Sequence, residues 1–264
     1  MANSFTKNHW AVILGGSSGL GLATAQKLAQ EGLHICIVHR DRKSTLSDIE
    51  IGFEKIKSTG VQFLSFNMDA LRKDKRIEII EQLIAELGNT GKIKTLVYSI
   101  AKGNLKPMIS NDLPILKNDD FHLTIESMAI GLYDWTQDLF RENLFAEDTR
   151  IISFTSEGNQ KAWRNYAAVS AAKAALEAIS RNIALEFAPF GIRANCVQAG
   201  VTDTASLRMI PESEILKKHS IKRNPFNRLT TPEDVANVVF LLCKDEAAWI
   251  NGAVIPVNGG EHIS

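Results

Sequence analysis

Tyr166 and Lys173 stand seven residues apart in YAAVSAAK. On a continuous helix that spacing puts both on one face, ~10 Å apart along the axis. A phenol near an ammonium is an acid catalyst with a helper: the ammonium, together with the cationic ring of an oxidised nicotinamide, would lower a phenol pKa from its usual ~10. Far upstream, LGGSSGLG (Leu14 to Gly21) follows an apolar run and opens an amphipathic stretch. In that context glycines permit a tight turn, close approach of backbone to a pyrophosphate, and close helix–strand packing. Gly15, Gly19 and Gly21 form the turn, and Ser17, Ser18 and Leu20 lie within it. A helix beginning near Gly19 points its free amides and positive dipole end at the anion. Taken alone, a tyrosine and a lysine on a long helix read more simply as surface residues. Behind a nucleotide turn they read as an acid and its helper beside a nicotinamide.

The elements that must position these groups alternate along the chain. Apolar runs WAVILGG, LHICIVH, VQFLSFNMD, KTLVYSIA, TRIISFTS, GIRANCVQ and AVIPVNG are separated by helical stretches. The helices are expected after Gly19, over about 44–58, 72–87 and 120–143, from Tyr166 to near Phe187, and over 232–243. An irregular segment is expected over 200–229. Nearly continuous apolar strands with helical crossovers imply a parallel sheet covered on both faces. The fold class is α/β: one Rossmann-type, doubly wound parallel sheet of about seven strands, in a single dinucleotide-binding domain over 1–264.

The second strand ends at Val38-His39-Arg40-Asp41-Arg42. An acid at that strand end binds the ribose 2′-hydroxyl of NAD. His39 and Arg40 stand there instead, and a guanidinium pairs with a 2′-phosphate, so NADPH is expected over NADH. Asp41 adjoins them, and Arg40 read by itself is also a solvated loop charge. Thirty basic residues balance thirty acidic ones, which gives no electrostatic footprint for nucleic acid or anionic membrane. Cys36, Cys196 and Cys243 are odd in number and scattered, so neither a disulfide framework nor a metal site is expected. No apolar run approaches the ~20 residues of a membrane span, and MANSFTKNHW lacks the apolar core of a signal peptide. A cytoplasmic location follows as the expectation.

The chain resembles the short-chain dehydrogenase/reductase superfamily from LGGSSGLG to the closing VNGG. The commoner pattern there is Tyr-x-x-x-Lys, and Val169 occupies that tyrosine position here. Tyr-x6-Lys is the mark of the enoyl-[acyl-carrier-protein] reductases. VYSIA (Val97 to Ala101), VTDT and the run from Tyr166 onward resemble the NADPH-dependent third type of that group. The resemblance implies Tyr166 as proton donor and Lys173 as cofactor-binding lysine. Ser156 falls where the main bacterial enoyl reductases carry a second tyrosine. Ser99, Ile100 and Ala101 are implied along the cofactor and Asp69 near the adenine. Gly200, Thr202 and Thr204 are implied near the nicotinamide carboxamide. Ser153 is a further hydroxyl, read more simply as a strand-end serine. Met128 replaces the long-helix asparagine of ketoreductases. An acyl thioester on acyl carrier protein, a homotetramer, and a substrate lid at about 200–229 are also implied.

The shifted tyrosine suits an enoyl thioester. In ketone reduction the hydride lands on the carbon that bears the oxygen. In enoyl reduction it lands on Cβ, and charge develops on an oxygen two carbons away. Three residues of helix move a Cα by ~4.5 Å, the order of displacement required. Two alternatives stay open: an NADPH-dependent reductase of a β-ketoacyl thioester or other carbonyl, and an NADP(H)-sensing regulator without turnover.

Overall fold

The computed structural model describes residue 5 and residues 8–264. Seven strands form one all-parallel sheet: β1 (His9–Leu14), β2 (His34–His39), β3 (Phe63–Asn67), β4 (Lys92–Tyr98), β5 (Phe145–Ser156), β6 (Ile192–Ala199) and β7 (Val254–Val257). Their order is β3-β2-β1-β4-β5-β6-β7. After β3 the chain returns to the far side of β1, and the strand order reverses there. A crevice opens at such a switch point, outside the carboxyl ends of the strands. Glycine turn, Arg40, Asp69 and Ser99 all follow strands that end on that rim.

Burial explains the apolar runs. β1 buries Trp10, Val12 and Leu14 against one layer of helices and Ala11 and Ile13 against the other. The first layer is α3 (Lys73–Leu87), α5 (Gly131–Arg141) and α6 (Ala167–Glu186); the second is α1 (Gly19–Gln30), α2 (Leu46–Lys57) and α9 (Pro232–Cys243). A strand covered on both faces cannot alternate apolar with polar residues. Thr231 starts α9 with a capping box to Asp234, and Pro232 follows at the first helical turn, where its missing N–H costs nothing. At the opposite end of the sheet, Asp148 receives Lys94 at 2.6 Å and the guanidinium of the fully buried Arg150. Arg150 also donates to the Leu242 carbonyl at 2.9 Å, which ties the end of α9 to β5.

Three elements depart from expectation. The helix expected over 120–143 is α4 (Asn118–Ile125), a π-helical turn at Glu126–Ile130, and α5. Met128 sits in that wide turn, and the neighbouring Ser127 carbonyl accepts from Tyr98 Oη at 2.6 Å. Periodicity cannot show one extra residue inside an otherwise helical run. The segment 200–229 holds α7 (Ala205–Arg208) and α8 (Ser213–Arg223) rather than irregular chain. SEILKKHSIKR buries only Ser220 within α8, so it carries no apolar stripe to read. Tyr166 is the N-cap of α6 and lies outside the helix proper, with its carbonyl accepting from Ser170 N at 2.8 Å. Among the described residues no helix is long and apolar enough to cross a membrane.

Candidate active site

A cleft of about 560 Å³ runs along the carboxyl ends of β1, β2, β4, β5 and β6. At one end lie Gly15, Ser17, Ser18, Gly19 and Leu20. A Cβ on Gly15 would stand 2.7 Å from the Ser99 carbonyl oxygen, and one on Gly21 would collide with the Gly15 carbonyl. Gly15 also has φ +85°, in the left-handed region. A side chain at either position would force apart the glycine turn, the start of α1 and the chain after β4, which pack backbone to backbone here. Ser18 caps α1 without a side-chain bond, so the first-turn amides remain free for an anion. Thr204 Cγ2 approaches to 3.3 Å of a Cβ built on Gly19, which brings the loop after β6 beside the glycine turn. These features fit a dinucleotide pyrophosphate.

The next stretch of the cleft carries charge. Arg40 forms an ion pair with Asp69. Burial works to raise the Asp69 carboxyl, but the Leu71 amide, Arg40 and Lys102 outweigh it and hold the group below its ordinary range. Lys102 lies on the same wall and sequence reasoning passed over it. His39 lines the cleft too, yet its ring is tucked against Phe53 and its Nδ1 lies 2.8 Å from Asp41. Ser99, Ile100 and Ala101 form the floor, and Gly200, Thr202 and Thr204 the opposite lip. Thr202 Oγ1 donates to the Gly200 carbonyl at 3.0 Å.

The far end of the cleft holds Ser156, Tyr166 and Lys173, the residues expected to carry the chemistry. Ser156 Oγ and Tyr166 Oη lie 3.4 Å apart, and Lys173 Nζ donates to the Phe154 carbonyl at 2.6 Å. Burial pulls the Lys173 ammonium down to about 8, against the opposing pull of Cys196 and Glu177. The share of the expected Tyr166 lowering that the Lys173 ammonium was to supply is not met. Burial raises it, and the Ser156 hydrogen bond only partly offsets the rise. The reason is geometric: the Lys173 ammonium is held on a β5 carbonyl, while the phenol is packed against Trp163, Val169, Met128 and Ala172.

Apolar groups close this end. Met128 and Val169 form an apolar cluster with Tyr166, against which Leu105, Trp163 and Ile210 pack, with the Trp163 ring centred 5.1 Å from that of Tyr166. Val169 and Met128, which hold the positions of the ketoreductase tyrosine and asparagine, are both walls of the cleft. From 200–229, Leu207, Met209, Ile210 and Leu216 line it, whereas Ile215 and Phe226 lie outside the lining and are exposed. Ser153 is fully buried among Ser180 and Cys196, away from the cleft.

Sequence reasoning also missed Glu177 and Gly158. Glu177 is buried four residues after Lys173, a spacing that places it on the same helical face and made it findable. Gly158 packs on the Tyr166 ring through a loop fold that no spacing reveals.

Residues 15–262 match the family model described as Enoyl-(Acyl carrier protein) reductase. The chain belongs to that family, within the short-chain dehydrogenase/reductase superfamily. Its similar relatives differ in the reactions they are named for. The peroxisomal 2,4-dienoyl-CoA reductase of Mus musculus is 27% identical over 252 residues, covering 95% of this chain and 82% of that protein. The 3-oxoacyl-[acyl-carrier-protein] reductase FabG of Staphylococcus epidermidis is 26% identical, covering 97% and 100%. Among solved structures, enoyl-[acyl-carrier-protein] reductase (NADH) from Aquifex aeolicus VF5 superposes with a TM-score of 0.82 at 25% identity, covering 98% of each chain. Membership fixes an oxidoreductase of this superfamily, and the choice among reactions rests on the cleft.

Proposed function

We propose that this short-chain reductase uses NADPH to reduce the trans-2 double bond of an enoyl thioester carried on acyl carrier protein or CoA. The observation that carries the reading is the wall around Tyr166. The phenol stands one turn upstream of the superfamily's usual tyrosine, and apolar Val169 and Met128 occupy the two positions where ketoreductases keep polar groups. A bound NADPH supplies the hydride. The glycine turn and the first-turn amides of α1 would hold its pyrophosphate, and Arg40, paired with Asp69 in this structure, would take the 2′-phosphate. The guanidinium at the end of β2 underlies the choice of NADPH, although the Aquifex aeolicus relative is named for NADH.

The residues of the chain then divide the work. Leu105, Trp163, Val169 and Ile210 desolvate the acyl group and aim its carbonyl at the phenol. Tyr166 donates a hydrogen bond to the thioester oxygen as negative charge develops there, and its proton neutralises the enolate. Ser156 fixes the direction of the phenol from 3.4 Å. Lys173, cationic below about pH 8, would hold the cofactor ribose from its place on the Phe154 carbonyl. The segment 200–229 acts as the lid through Leu207, Met209, Ile210 and Leu216. Pairing of subunits into a homotetramer belongs to the same reading.

The test follows NADPH absorbance with a trans-2-enoyl thioester and, separately, a β-ketoacyl thioester. Oxidation with the enoyl substrate alone is expected. Oxidation with the keto substrate alone would replace this reading by the ketoreductase one, which the Staphylococcus epidermidis relative favours. NADPH binding without turnover of either would point to the sensing role.

A further inference from the structure

Glu177 is a buried carboxylate for which the proposed reaction has no use. It lies one helical turn beyond Lys173 on α6. Its Oε1 accepts from Thr155 Oγ1 at 2.5 Å and from Asn159 Nδ2 at 2.6 Å. Thr155 is the middle of three consecutive residues at the end of β5, and both neighbours serve the reactive pair. The Phe154 carbonyl receives Lys173, and the Ser156 hydroxyl meets Tyr166. The strand end is therefore tied to α6 and its cap at three successive points, and Glu177 holds the central one. Asn159 carries the tie into the short helical turn Glu157–Asn159, where Gly158 lies against the Tyr166 ring.

The charge of Glu177 is as informative as its bonds. Thr155 and Asn159 are neutral donors, so they solvate the carboxylate without cancelling its charge. A buried carboxylate without a cation nearby is costly. The charged and titratable groups that face it are Lys173 on α6 and Cys196 on β6. β5 and the turn contribute the Thr155 hydroxyl and the Asn159 amide, while Glu157 in that turn is taken by Arg223 at 3.0 Å. We propose that Glu177 is a positioning residue: its bonds hold Ser156 and Tyr166 in register, and its charge keeps the neighbouring Lys173 an ammonium. The proposal rests on the functional reading only in requiring Tyr166 and Lys173 to serve the reaction, and it holds for either thioester.

Glu177→Gln keeps the volume and an acceptor oxygen and removes the charge. NADPH affinity is measured by fluorescence across the alkaline range, and kcat and KM with whichever thioester the native enzyme reduces. The expected result is a kcat about tenfold lower at neutral pH, with KM within about twofold. The alkaline loss of both NADPH binding and kcat should begin about half a pH unit lower or more. Thr155→Val breaks a bond and spares the charge, so kcat should fall while the alkaline limb stays in place. Native kcat and an unmoved limb in folded Glu177→Gln would overturn the proposal. So would a loss of rate matched by the loss of folded protein, which marks a purely structural role. Should Glu177→Gln fail to fold, native kcat in Thr155→Val would overturn it. An enzyme that reduces neither thioester refutes the functional reading, and the NADPH-binding limb still tests Glu177.

Discussion

Gly158→Ala is a one-methyl test of how tightly Tyr166 must be held. A Cβ at Gly158 would stand 2.5 Å from Tyr166 Cε1 and 3.0 Å from Cδ1. Carbon atoms at rest keep ~3.5–4.0 Å, so the ring or the turn must give by ~1 Å. The ring cannot retreat freely, because Trp163, Val169 and Met128 pack around it. Gly158 is absent from the positive-φ glycines, so alanine meets no backbone strain there and the perturbation is confined to the ring. The Ser156–Tyr166 contact is already 3.4 Å long and does not survive a further ~1 Å. A ~1 Å misplacement of a reacting group costs ~10²-fold in rate, and overpacking of this kind costs ~1–3 kcal/mol in stability. The assay is NADPH oxidation at saturating thioester, alongside NADPH binding by fluorescence and thermal unfolding. We expect kcat down ~10²-fold with NADPH affinity preserved, since the glycine turn lies at the other end of the cleft. A variant that binds NADPH and keeps kcat within about twofold of native would refute the reasoning.

Three further outcomes are expected. Tyr166→Phe should lower kcat by ~10²–10⁴-fold and spare NADPH binding, because it removes only the donated proton; a native rate would exclude Tyr166 as the acid. Arg40→Ser should weaken NADPH about tenfold and leave NADH nearly unchanged, read as a ratio of dissociation constants; equal losses for both would dissociate Arg40 from the 2′-phosphate. Asp148 links stability to pH. Burial works to raise its carboxyl, but Arg150 and Lys94 outweigh it and hold it at about 2, below the ordinary 3.8. A depressed folded pKa gives stability that is present above the unfolded value and is lost as pH falls from about 4 through about 2. One unit is worth ~1.4 kcal/mol, and solvent reaches about a third of this side chain, which discounts the total to about 1 kcal/mol. Acid unfolding of Asp148→Asn should lack that slope, and a native slope would assign the acid sensitivity elsewhere.

Local chemistry was legible where one short segment carried the whole signal. The glycine turn sits directly between an apolar strand and an amphipathic helix, and Gly15 and Gly21 pack as that pattern requires. The seven apolar runs became seven parallel strands; the five inner ones are buried on both faces, while the edge strands β3 and β7 are only partly covered. Signals failed where packing overrode period. α8 is too polar to show a stripe, the π turn at Met128 adds a residue that helical spacing hides, and Tyr166 caps its helix instead of joining it.

What the sequence determined by itself is the order of the seven strands, the glycine turn and the pairing of Tyr166 with Lys173 on one stretch of chain, since propensity and short spacings act within a few residues. What only the tertiary structure decided is the state of those groups. Lys173 is drawn onto the Phe154 carbonyl and Tyr166 into an apolar wall, so burial sets the phenol's acidity against the expected lowering. Glu177, Thr155, Asn159 and Gly158 join the site because β5 and α6 are brought side by side. Desolvation and contacts between distant segments depend on the whole enclosure, and no window of sequence contains it.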